Sequence, residues 1–165
     1  MVLWSYLLGC AGPALTAACA MTYKDPFVLP MNAAQRKEAK SAKIALAQDS
    51  ESDLIALLRA LEGHADAKAR GGGGAAASLA RRGHLSAPTL DMIWDICGQV
   101  ARELHGSGLP SAYDWCVGNR CNSNSKDVSL LSSVLCAGLY PNVAMRRPGG
   151  TNFKTQGGHT ARVSA

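Results

Sequence analysis

The side chains in this sequence best suited to chemistry are cations that could hold phosphate. Arg146, Arg147 and Lys154 lie close together near the C-terminal end. Asn142 could hydrogen-bond a nucleic-acid backbone, and Arg81 and Arg82 form a secondary pair. Such residues contact phosphate rather than read bases. The run from Val134 to Ala144 precedes the first pair directly. It reads as a buried helix that stops at Gly138 and leads into an extended segment. A hydrophobic helix that delivers a polar strand and two arginines suits a surface that touches phosphate. The competing reading of each arginine is a solvated surface charge.

Catalytic patterns are missing. Phosphoryl transfer by a motor needs a lysine-bearing phosphate loop and an acidic magnesium site. Residues 70–74 read Arg-Gly-Gly-Gly-Gly, but no Gly-Lys-Ser/Thr follows. No Asp-Glu-x-His box, His-Glu-x-x-His or Gly-x-Ser-x-Gly occurs. Neither do the six cysteines offer zinc-ribbon spacing: Cys10, Cys19, Cys97, Cys116, Cys121 and Cys136 include no Cys-x2-Cys pair. Buried, reduced cysteines are the expectation, with Cys97 and Cys136 on the apolar faces of helices. A Cys116–Cys121 pair would need an oxidising compartment. No metal and no cofactor is expected in this chain.

The elements that must position the cations follow from periodicity. The chain has 165 residues, of which 47% are hydrophobic and only 5% aromatic. That length suits one domain, with a helical core built on small residues. A net charge of +5 permits an acidic partner without demonstrating one. Helices are predicted at about 14–21, 32–47, 52–62, 86–105 and 127–138. Leu54, Leu57, Leu58 and Leu61 give the i, i+3, i+4, i+7 pattern of one buried face. Gly63 is expected to end that helix and to leave His64 at the surface, neither a ligand nor a base. Asn32 and Ser86 are predicted N-caps. In the helix that Ser86 opens, Leu90, Ile93, Cys97, Val100, Ala101 and Leu104 make the buried stripe. Arg36, Lys40 and Lys43 make a basic ridge on the 32–47 helix, read first as a solvated face. Residues 65–83 are alanine, glycine and arginine and are expected to form a mobile loop. Residues 106–125 are a loop, and 127–138, apolar on most faces, should be central. Short strands are predicted over 142–147 and 151–155, around a turn at 148–150. The fold class is therefore mainly α, a small helical bundle followed by a short, incomplete β region.

The N-terminus allows several readings. Residues 1–22 carry no charged side chain. Leu7-Leu8 followed by Ala18-Cys19-Ala20 imitates a secretory signal, and a membrane anchor is a further possibility. Against both, a basic start is missing, and Gly9, Gly12 and Pro13 interrupt the apolar run.

Several segments resemble the C-terminal region of DEAH-type (DExH-box) RNA helicases. Leu8 to Ala18 is similar to that family's Cys-x-Asp-Pro-x-Leu-Thr-x-Ala-Ala segment. Ser52 to Gly63 is similar to its Ser-Asp-His-x-Ala-Leu-Leu-x-Ala-Phe-x-Gly helix, with Leu54 for the histidine and His64 for the following tryptophan. Leu85 to Gln99 resembles Leu-Ser-x-x-Thr-Leu-x-Met-Ile-x-Asp-x-Arg-x-Gln, with Cys97 for the arginine. Val134 to Ala144 resembles the junction where the ratchet domain hands over to an oligonucleotide-binding fold. The resemblance implies a remnant of a winged-helix or linker region at 1–13, a helical ratchet domain at 14–138 and the start of an oligonucleotide-binding fold at 139–165. Such a barrel needs about five strands, so the chain is expected to stop inside it. The implied role is a non-catalytic part of an RNA helicase whose motor domains use ATP and magnesium. Single-stranded RNA and those motor domains are the implied partners, with no membrane, in the cytoplasm or nucleus. The alternative is a small helical protein-interaction module without a nucleic-acid role, or a secreted or membrane-anchored protein led by residues 1–22.

A chain with no phosphate-cradling loop should not turn over nucleotide. Purified protein is expected to release no phosphate from ATP, with or without RNA. Turnover that co-elutes with the protein peak would refute this.

Overall fold

The fold is a computed structural model that describes residues 1–50, 52–113, 120–146, 150 and 152–161. Six α-helices occur among the described residues: α1 (Val2–Leu7), α2 (Ala11–Met21), α3 (Ala33–Ala47), α4 (Asp53–Arg82), α5 (Ala87–Gly106) and α6 (Val128–Leu139). Three short strands follow, β1 (Ala144–Arg146), β2 (Phe153–Thr155) and β3 (Thr160–Ala161), in one antiparallel sheet of that order. The mainly helical class with a small β region holds.

The central element is α2. Ala11 to Ala17, Cys19 and Ala20 are all buried in it. A helix that is apolar on every side belongs inside a core, which accounts for the uncharged N-terminal run. No described helix is long and apolar enough to cross a membrane. One side of α2 joins Leu15, Cys19 and Ala20 to Leu61, Leu90, Ile93 and Cys97. The other joins Cys10, Ala14 and Ala17 to Ile55, Leu58, Leu131, Val134 and Leu135.

Side chains cap the helices as their types suggest. Asn32, Ser52, Ser86 and Asp127 each accept a backbone N–H from the first turn of α3, α4, α5 and α6. At the other end of α3, the Arg59 guanidinium donates to the carbonyls of Leu46 and Ala47 at 2.8 and 2.9 Å. It satisfies free acceptors and places a cation at the helix C-terminus. The segment between α2 and α3 is extended, and Phe27 forms an antiparallel bridge with Leu85. Of the basic ridge on α3, Arg36 and Lys40 are exposed. Lys43 is engaged: it pairs with Asp53 at 3.0 Å and lies 4.8 Å from the Phe27 ring centroid.

The structure corrects several sequence expectations. Residues 65–83 are not a mobile loop. α4 runs on through Gly63 to Arg82, bent at Gly72, where φ is 68° and ψ −170°. Only glycine takes that conformation without strain. The alanines on either side are strong helix formers, and Ala76 and Ala80 are buried, which holds the second limb in place. His64 is therefore buried on a continuing helix rather than exposed beyond its end. α6 lies at the edge of the bundle. Leu131, Val134 and Leu135 face inward, whereas Ser132, Ser133 and Cys136 face solvent. Cys136 is thus exposed, unlike Cys97. The Cys116 position lies outside the described residues.

The edge placement of α6 separates neighbouring positions. Leu135→Asp should bury an unpaired carboxylate and cost roughly several kcal/mol. Cys136→Asp should stay within about 0.5 kcal/mol of the parent. Urea melts of both variants check this; equal midpoints would contradict the inward assignment of Leu135.

Candidate nucleic-acid interface

The β region leaves α6 through Tyr140 and Pro141. Leu139 O accepts from Asn142 N at 2.7 Å, closing a turn after the helix. The Asn142 side chain is exposed. From there β1 pairs with β2 so that Ala144 lies opposite Thr155, Met145 opposite Lys154 and Arg146 opposite Phe153. β2 pairs in turn with β3, with Phe153 opposite Ala161 and Lys154 opposite Thr160. The turn between them contains Gly158 at φ 80°. It is closed by Thr155 N donating to His159 O at 2.9 Å and Gly158 N donating to Thr155 O at 3.0 Å. The Gln156 side chain also donates to the Tyr140 hydroxyl, tying the hairpin to the end of α6.

This register sorts the cations. Residues directly opposite in an antiparallel ladder share a face, and successive residues alternate. Arg146 and Phe153 therefore share one face of the ribbon, while Met145 and Lys154 share the other. Arg146 and Lys154 are both exposed, but they point away from each other. A single strand of phosphates on one face meets only one of them. Periodicity missed Phe153 as a partner of Arg146, because that pairing depends on register. The signal was its position one residue before Lys154. Arg147 lies outside the described residues.

Arg81 and Arg82 stand on a different element, exposed in the last turn of α4. Cations there complement the negative end of the helix dipole. Asn142, Arg146 and Lys154 instead follow α6, so the α4 pair joins no cluster with them through the ladder.

A second polar cluster lies against α4. His64 is 3% exposed, and its Nε2 lies 3.2 Å from Asp91 Oδ1. Lys68 Nζ donates to the same oxygen at 2.5 Å. The hydrogen bond from Lys68 is the chief cause holding the Asp91 carboxyl below its ordinary value, with His64 adding to it and burial opposing. No group of three or more His, Cys, Asp or Glu is placed to hold a metal ion among the described residues. The cluster ties α4 to α5.

The chain is similar in sequence to known proteins. Residues 1–57 match the model of the ratchet-like helicase associated domain (HA2). Over 163 residues the chain is 42% identical to the DExH-box ATP-dependent RNA helicase DExH1 of Arabidopsis thaliana, covering 94% of this chain and 15% of that protein. It is 35% identical over 159 residues to DExH6 of the same plant, covering 94% of this chain and 12% of the relative. It is also 35% identical over 147 residues to the ATP-dependent DNA/RNA helicase DHX36 of Homo sapiens, covering 89% of this chain and 14% of the relative. The chain thus spans well under a fifth of the length of these curated relatives.

The Asp91 cluster makes a pH-dependent contribution whose sign is fixed. A carboxyl lowered by folding adds stability above its unfolded value, 3.8, and loses it as pH falls through the folded value. Asp91→Asn should therefore destabilise the chain at pH 7, and the gap to the parent should narrow below about pH 4. Urea midpoints across that range check it; a gap independent of pH would remove the carboxylate from the account.

Proposed function

We propose, for a chain that belongs with the DExH-box RNA helicases through their helicase-associated region, a non-catalytic role in which it forms part of a single-stranded RNA channel beside ATP-driven motor domains. The observation that carries the reading is the Arg146–Phe153 face of the ribbon. It sets an exposed cation next to a half-buried aromatic ring on a short sheet. Single-stranded nucleic acid is held by this combination, with phosphates on cations and bases on aromatic faces, and with little sequence preference. Asn142 supplies a backbone hydrogen bond at the start of the same segment. Arg147, Arg81 and Arg82 remain in the proposal as outlying phosphate contacts, and Lys154, on the opposite face of the ribbon, is the alternative contact. The sheet is the opening of an oligonucleotide-binding fold, and α2 to α6 are the ratchet domain that carries it. ATP and magnesium are bound by motor domains elsewhere in such an enzyme, and the protein works inside the cell.

The motor domains need a docking surface. Val28, Leu29 and Met31 stand exposed in the extended segment between α2 and α3, and Leu3, Trp4 and Leu7 stand exposed on α1. Exposed apolar clusters of this kind mark contact surfaces. They supply the packing face, while the ribbon supplies the RNA contact.

Binding of a fluorescent single-stranded RNA across a salt series tests the reading. Each phosphate contact contributes roughly 0.7 to the slope of log affinity against log salt. Arg146→Ala should flatten the slope by about that amount. Phe153→Ala should weaken binding by about 1–3 kcal/mol and leave the slope unchanged. If only Lys154→Ala flattens it, RNA lies on the opposite face. If no variant alters affinity or slope, the ribbon is not an RNA contact and the interaction-module reading takes over.

A further inference from the structure

The turn between α3 and α4 takes no part in the proposed RNA contact, and its sequence is Asp49-Ser50-Glu51-Ser52-Asp53. Ser50 has acidic residues directly before it, directly after it and three positions later. That pattern is what acid-directed serine kinases select, by complementary charge in the substrate cleft. Ser50 is half-buried, and Gln48 and Asp49 beside it are exposed. Gln48 holds φ 50° and ψ −139°. A residue with a side chain adopts that backbone only under strain. The turn therefore gives up little when it is drawn out into an enzyme's cleft.

The surroundings of the Ser50 hydroxyl favour an anion. It donates to Ala47 O at 2.5 Å. Arg59 Nη1 donates to the same oxygen at 2.9 Å and to Leu46 O at 2.8 Å. The shared acceptor makes the Ser50 Oγ and the Arg59 guanidinium close neighbours. Both hydrogens of Nη1 go to those carbonyls, which leaves the hydrogens on Nε and Nη2 to donate elsewhere. On the other side, the backbone N–H of Ser52 donates to the Ser50 Oγ at 3.3 Å, where the chain enters α4. The positive end of the α4 dipole therefore lies beside the same oxygen. Of the acidic neighbours, Asp53 pairs with Lys43 at 3.0 Å, and Asp49 faces water. Glu62, one turn along α4, is raised above its ordinary value by burial and by Asp66, with Arg59 opposing, so it does not consume the guanidinium.

We propose that Ser50 is a phosphorylation site and that Arg59 receives its phosphate. A protein kinase with ATP is the co-reactant. The Ser50 Oγ attacks the γ-phosphorus, its bond to phosphorus forms, the bond to ADP breaks, and the hydroxyl proton passes to solvent. The phosphoserine carries close to two negative charges and three strong acceptor oxygens. Those oxygens take hydrogens from Nε and Nη2 of Arg59, while Nη1 keeps its hold on the end of α3. Charge-assisted bonds of that kind are short and strong. The modification ties the turn to the second turn of α4. It also lowers the net charge of a chain that carries +5, and with it the attraction for a polyanion.

The test incubates the folded full chain with the acid-directed serine kinase casein kinase 2 and ATP, then maps the phosphate by mass spectrometry. Phosphate on Ser50 is expected, and Ser50→Ala should remove most of the incorporation. Phosphorus NMR then follows the second ionisation of the attached phosphate. An unpaired phosphoserine titrates at about pH 6. Beside Arg59 it should titrate about 1 pH unit lower, because the cation favours the dianion. The same protein unfolded in urea should return to the unpaired value, and Arg59→Gln should remove most of the shift. No incorporation, phosphate on Ser52 or another residue instead of Ser50, or equal titration in the folded and unfolded protein would overturn the proposal. The folded and unfolded measurements use the parent chain, so they stand whether or not Arg59→Gln folds.

Discussion

The backbone N–H of Gly12 is buried at the start of α2, and the Asn122 side chain accepts its hydrogen bond at 2.8 Å. The first turn of a helix leaves N–H groups without intrahelical partners. In α2 this turn lies inside the protein, away from water, and Cys10 before it offers no side-chain cap. Asn122 supplies the acceptor from 110 residues away, and its amide donates to Ala112 O at 2.6 Å. Asn124 extends the strap, with its backbone N–H donating to Gly9 O at 2.7 Å and its side chain to Leu8 O at 2.9 Å. Without these bonds a core helix would hold unsatisfied polar groups, at about 1–3 kcal/mol each.

That constraint shapes the neighbouring chain. Gly9 stands at φ 71°, and a Cβ there would lie 2.4 Å from the Ser123 hydroxyl and 3.0 Å from Arg120 O. The strap can approach only because no side chain is present. The same economy of volume runs along α2, where alanine dominates. Neighbouring helices pack closely around it, and α4 contributes Ala56, Ala60 and Ala80 in the same manner. A core with few aromatic rings is therefore filled by close backbone approach rather than by large side chains.

The three-stranded sheet is different in kind. Its residues are exposed or half-buried, and it is held by its own ladder and by the Tyr140–Gln156 hydrogen bond. It contributes little to the helical core, so its side chains are free to be chosen for contact with something else. The division matches the proposed roles. In those proposed roles the α2-centred bundle is the support, and the ribbon leaving α6 is the surface it presents.

Periodicity and end signals were enough for much of this architecture. The leucine spacing over 54–61, the stripe from Leu90 to Leu104 and the caps at Asn32 and Ser86 are local patterns, and they specify helices wherever those helices pack. The apolar run at the N-terminus marked a segment that must leave water, and its composition left open whether a core, a membrane or a signal receives it. Tertiary contacts decided the rest. The helicity of 65–82 depends on burying Ala76 and Ala80, which no local propensity can announce through a tract of four glycines. The burial of His64 needed Asp91 from another helix. Counting apolar residues placed α6 at the centre, but α2 already filled that place, so half of α6 faces water. For the candidate site, residue type identified Arg146 and Lys154, and only the strand register showed that they point to opposite faces. A shift of one residue reverses a strand's faces, and register is set by pairing between segments rather than by either segment alone.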